Sequence, residues 1–96
     1  MAGHLSWRRV VAPGGTGGAV YASDVGGSEA LVSNTPSTSS ATAYHDVASI
    51  TVDVDSYVAF GTAPDASVTT ARDLIRAGER YEARCPIGTK VEILDA

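Results

Sequence analysis

Ninety-six residues with a formal charge of −4, 44% hydrophobic side chains and a single cysteine describe one small domain. The acidic balance excludes the basic footprint of a nucleic-acid binder. The lone Cys85 excludes an internal disulfide and a Cys/His zinc site, and no apolar run approaches the ~18 residues of a membrane span.

A chain of this length buries about 65% of its unfolded surface. Ten glycines and only one Trp, four Tyr and one Phe make a lean core. Oligomerisation or docking on a larger assembly is therefore expected to add stability.

The first nine residues, MAGHLSWRR, contain no apolar signal core, so synthesis and assembly in the cytosol are expected. Arg8-Arg9 is the only adjacent basic pair. Such a pair is ordinarily solvated or salt-bridged, and the second reading is contact with an acidic partner surface. Trp7–Ala12 (WRRVVA) reads as a strand.

Pro13–Ser40 is rich in Gly, Ser and Thr, with Gly14-Gly15-Thr16-Gly17-Gly18, Gly26-Gly27 and Ser33–Ser40 as its weakest-patterned stretches. Short apolar pieces, Ala19–Ala22 and Ala30–Val32, lie between them. This texture predicts an extended N-terminal arm or loop-rich lobe over 1–40 and a compact core over 41–96. Trp7 and Tyr21 are the arm residues best suited to anchor it on a partner, and their packing on their own domain is the competing reading. Trp7, Arg8, Arg9 and Tyr21 are the candidate partner contacts.

The glycine cluster at 14–18 lacks the Gly-Lys-Ser/Thr ending of a phosphate loop and the spacing of a dinucleotide fingerprint. His4 and His45 stand apart in sequence. Tyr44-His45-Asp46 sets an acid beside a histidine, but adjacent strand residues point to opposite faces, so no dyad is implied.

Ser49–Asp55 (SITVDVD) alternates Ile50, Val52 and Val54 with Thr51, Asp53 and Asp55, the period of a half-buried antiparallel strand. Asp53 and Asp55 read as solvated carboxylates rather than cation ligands. Tyr57–Gly61 (YVAFG) is a second strand, closed by the turn residues Gly61–Asp65.

Ser67–Cys85 admits two readings. A helix would begin at a box-like Thr70-x-x-Asp73, but would stripe Arg72, Arg76, Arg80 and Arg84 along one side and hold Gly78 in its middle at a cost of about 1 kcal/mol. Two strands about an Ala77-Gly78 turn fit better. They put Tyr81, Ala83 and Cys85 on an inner face, with Arg80, Glu82 and Arg84 outside, and make Cys85 a buried thiol. Pro86–Thr89 is a further turn, and Lys90–Asp95 (KVEILD) a last strand with Val91 and Ile93 on one face. No G-x-S-x-G elbow occurs.

Asp55–Ala66 (DSYVAFGTAPDA), Leu74–Glu79 (LIRAGE) and Gly88–Leu94 (GTKVEIL) together resemble small virion proteins of tailed bacteriophages. In that family a strand and turn of the form YVAxGxxP precede an apolar strand ending in AG, and a G-x-KV-x-I strand closes the domain. Met1–Ser40 lies outside the resemblance.

The resemblance implies an all-β fold, a small antiparallel β-sandwich of Ig-like or jelly-roll-like kind, and strands over 67–85. It implies a structural protein that decorates or cements a capsid, with the major capsid protein as partner and a location on the capsid exterior. It also implies a homo-oligomer, with a trimer at a symmetry axis as one form. No enzyme activity, cofactor, metal, nucleic acid or membrane is expected. A head–tail connector or tail accessory is the nearest alternative, and a carbohydrate- or receptor-binding β module the alternative of another class.

Overall fold

A computed structural model describes residues 2–15 and 18–96, with side chains placed for 3–11 and 21–96. Nine strands lie among the described residues: β1 (Ala2–Arg8), β2 (Val10–Gly15), β3 (Gly18–Tyr21), β4 (Gly27–Val32), β5 (Val47–Val52), β6 (Ser56–Gly61), β7 (Asp73–Ile75), β8 (Arg80–Arg84) and β9 (Lys90–Asp95). They form a four-stranded sheet ordered β4-β1-β5-β8, a three-stranded sheet ordered β7-β6-β9, and the separate hairpin β2-β3. Every pairing is antiparallel. The all-β sandwich that the resemblance implies is the fold. Its strand order differs from the ABED-on-CFG arrangement of an immunoglobulin constant domain.

The core lies between the inner faces of the two sheets. In the larger sheet the register stacks Leu5 on Ile50 and Trp7 on Ala48, and sets Ile50 against Tyr81. In the smaller one Val58 faces Ile93 and Phe60 faces Val91. Leu5, Trp7, Leu31, Ile50, Val58, Ile75, Val91 and Ile93 are all buried. Each is worth roughly 1.5–3 kcal/mol of burial. The predicted alternation holds at β5, where Ile50 and Val52 point inward and Thr51 is exposed.

The expectation of an extended arm over 1–40 is corrected. β1 is an interior strand, paired along its length with β4 on one side and β5 on the other. Leu5 and Trp7 are 0% and 1% exposed. Composition misled here because β4 (GSEALV) buries only Leu31 fully, so its sequence looks like linker while its backbone completes a sheet.

The Ser/Thr/Asn-rich segment 33–41 is likewise a strap, not a spacer. It runs beside β9, donating Asn34 N–H to the Ile93 carbonyl and Ser37 N–H to the Val91 carbonyl, both at 2.7 Å, and Ala41 N–H to the Thr89 carbonyl at 2.9 Å. The Val91 N–H in turn donates to the Ser37 hydroxyl, 3.0 Å. Part of the expected arm does pair outside the two sandwich sheets, namely the β2-β3 hairpin. Thr16 and Gly17 of the glycine cluster lie outside the described residues.

Both sheets have their outer faces partly covered. The base of the hairpin crosses the larger sheet, where Arg8 Nη2 donates to the Ala22 carbonyl and the Tyr21 hydroxyl donates to Glu82. Val47, on that outer face, is 3% exposed. Over the smaller sheet the 62–72 loop seats Ala66 against β9. The buried Glu92 accepts the Ala66 N–H at 2.7 Å, and Arg72 stacks 3.5 Å above the Tyr57 ring.

The strand reading of 67–85 holds for Asp73–Ile75 and Arg80–Arg84, with Tyr81, Ala83 and Cys85 inward and Arg80, Glu82 and Arg84 outward, while 67–72 is loop. The Ala77-Gly78 turn does more than reverse the chain, because β7 pairs with β6 and β8 with β5, so it carries the chain from one sheet to the other. Gly78 adopts φ +80°, which glycine tolerates without strain, and its N–H is held by the Val52 carbonyl.

A chain of residues 41–96 alone lacks β1 and β4 and is expected to show no cooperative thermal transition by circular dichroism. In the full chain Trp7→Ala should cost about 3–5 kcal/mol in denaturant titration, and Trp7→Phe, which keeps most of the ring but loses its N–H, about 1 kcal/mol beyond the lost packing.

Candidate interaction surface

The C-terminal ends of β1 and β8 and the N-terminal ends of β4, β5 and β9 meet at one end of the sandwich. The register places Arg8, Val47 and Arg84 in one row. Three loops close over that end: 22–26, 41–46 and 86–89. They are tied together by Cys85 N–H to the Asp46 carbonyl, 2.8 Å, and by Gly88 N–H to the Ala41 carbonyl, 2.9 Å. Loop 41–46 closes on itself through Thr42 N–H to the His45 carbonyl and His45 N–H to the Thr42 hydroxyl.

This end carries a concentration of exposed apolar side chains. Val25 and Tyr44 sit on the loops, and Ile87 tops the last turn. Tyr44 and Ile87 are 61% and 70% exposed.

Beneath them an electrostatic cluster fixes the loops. Asp24 accepts from Arg9 Nη2 at 3.0 Å and lies 2.7 Å from His45 Nε2. The Arg9 guanidinium stacks 4.5 Å over the Tyr44 ring, and Tyr44 meets the His45 ring edge-on at 4.8 Å. The Arg9 hydrogen bond, then that of His45, holds the Asp24 carboxyl down at about 2. Asp24 in turn raises the Arg9 pKa. His45 packs so closely on the backbone of Gly26 that a β-carbon there would lie 2.3 Å from its Cγ.

A cleft of about 340 Å³ opens beside this end between Phe60 and Gly61 on one sheet and Ala83–Pro86 on the other. Its Cys85 is buried, and burial pushes the thiol pKa up, so the group is a neutral thiol packed in an apolar wall.

Of the residues expected to contact a partner, Trp7 is a core residue and that assignment is corrected. A fully buried indole has no surface to offer. Arg8 is a strut between sheet and hairpin, with its Nε buried and without a hydrogen-bond partner. Tyr21 is half-buried and bonded to Glu82, and burial first, then Glu82, raises its phenol pKa. Arg9 alone belongs to the exposed end. Tyr44, Val25, Ile87 and Asp24 were not singled out from sequence as contacts. The histidine that does pair with an acid, His45, finds it 21 residues away in Asp24, while the adjacent Asp46 turns to Arg84.

Among the described residues no three His, Cys, Asp or Glu side chains come together as a metal site, and no helix is long and apolar enough to cross a membrane. Asp55 is engaged by the Ala77 N–H at 2.9 Å and by Arg76. No protein-family model matches the chain, and no curated protein or solved structure matches it.

Because the Asp24 carboxyl lies below its ordinary 3.8 in the folded protein, its contribution to stability is complete above about pH 4 and is lost as the pH falls toward about 2. Thermal melts across that window should decline slightly more steeply for the natural protein than for Asp24→Asn, which should already be marginally less stable at neutral pH. Gly26→Ala should destabilise by about 1–3 kcal/mol, since the His45 ring must be pushed from its seat.

Proposed function

We propose that this protein is a structural docking module whose apolar end seats on a repeated protein surface, and that this surface is the coat-protein lattice of a tailed-phage capsid, which it decorates or cements. The observation that carries the reading is the placement of Val25, Tyr44 and Ile87 on the loops of one end, over a base stiffened by Arg9, Asp24 and His45. Apolar groups clustered on a polar surface mark a contact site. A pre-organised platform loses little conformational freedom on docking, so its contacts translate more fully into affinity. Tyr44 is the natural anchor, since an exposed aromatic offers large area with few rotors. The capsid as partner is supported by the phage-like pattern of 55–94.

The test is co-sedimentation of the purified protein with coat shells stripped of accessory proteins, followed by cryo-EM of the pellet. Regular density across the lattice is expected, with Tyr44→Asp and Ile87→Asp each weakening binding roughly tenfold or more. Density confined to a single vertex would move the function to a head–tail connector. Absence of binding would remove the capsid reading altogether.

A further inference from the structure

Four strands form the edges of the two sheets, and three of them are guarded. β9 is covered by the strap, whose backbone and serine side chains take up its hydrogen-bonding groups. β7 is three residues long, and so is the stretch of β6 beyond it. β8 turns Arg80, Glu82 and Arg84 outward and is overhung by Tyr21 of the hairpin. Short length, charge and a covering segment are the devices by which edge strands avoid pairing with other chains.

β4 is guarded less: among the described residues no strand pairs with its free edge, and its one charge, Glu29, points inward and is held by Thr38 and Ser39 of the strap. Six residues long, it turns Ser28, Ala30 and Val32 outward, uncharged and exposed, with Val32 at 59%. The hairpin that could shield it leans instead toward β8.

We infer that β4 is a pairing edge and that its partner is β4 of a second copy of this chain, the two larger sheets joining into one of eight strands. The charge pattern selects this partner. Antiparallel self-pairing about Ala30 sets Ala30 against itself and Ser28 against Val32 of the other copy, with no charge on the outer face. On the inner face Glu29 stands opposite Leu31 of the other copy, its carboxylate already held by Thr38 and Ser39. The same operation on β8 would oppose Arg80 to Arg84 and Glu82 to Glu82, which is repulsive. The small outward side chains of β4 offer no pocket that would select a foreign strand. A two-fold pairing uses both edges and closes at two copies. The inference concerns β4 alone and does not depend on the apolar end.

The experiment is sedimentation velocity of the full chain over a concentration series. A reversible dimer is expected, whose dissociation constant rises roughly tenfold on Ala30→Lys or Val32→Lys and is unchanged by Ile87→Lys at the apolar end. Melting curves establish that each variant is folded. Should Ala30→Lys not fold, Val32→Lys, with its exposed site, decides. In parallel, amide hydrogen exchange over Gly27–Val32 should slow as the natural protein is concentrated. A monomer at every concentration, a trimer, or a dimer indifferent to the β4 substitutions would overturn the inference. Loss of shell binding by Ile87→Lys without loss of the dimer would separate this interface from the docking end.

Discussion

The buried indole of Trp7 is the constraint on which the first half of the chain depends. Its ring needs the inner face of the larger sheet, and its N–H, once out of water, needs an acceptor. The acceptor is the Ser39 hydroxyl, 3.1 Å away, which donates onward to Glu29. Glu29 also takes the Thr38 and Ser39 amides, and these hydrogen bonds lower its carboxyl pKa against the opposing pull of partial burial. One polar chain thus links β1, β4 and the strap, and the strap in turn closes the flank along β9. A segment with few apolar residues of its own is held in place because an apolar ring elsewhere must have its polar atom satisfied.

The exposed end follows a different logic. An ion pair such as Arg9–Asp24 at the surface adds little to global stability. Its effect is positional, because Arg9 leaves β1, Asp24 precedes β4, and Tyr44 with His45 precedes β5. Fastening them together fixes three loops that would otherwise move independently. Rigidity here costs the fold little and keeps Tyr44 presented, consistent with a role in contact rather than in core formation.

The sequence was most legible where structure is local. Ile50 and Val52 alternate against Thr51 within a single strand, and Gly78 sits at a turn that requires positive φ, so each can be read without knowing what lies opposite. β1 and β4 were opaque because their stabilising partners are remote: Ala2 pairs with Val32 and Gly3 with Val52, and neither strand has enough apolar residues to announce itself. The candidate surface was only partly legible for the same reason. Arg9 stood out as half of a basic pair, but Val25, Tyr44 and Ile87 each look like an ordinary loop residue until three loops are brought to one end. Trp7 misled because a lone tryptophan in polar sequence suits an anchor as well as a core.

The apolar loop end and the open edge of β4 lie on separate parts of this small protein. Val25, Tyr44 and Ile87 sit on loops that present side chains but little strand edge. The bare edge of β4 lies along a flank where outward side chains are small and neutral, while the long edge that would clash with its own copy, β8, carries the charges. A domain with a lean core and a net charge of −4 has little stability to spare for accidental pairing. Under that constraint a less guarded six-residue edge is hard to explain as neglect, since the same chain spends a strap, a hairpin and an alternating charge pattern on guarding its other edges.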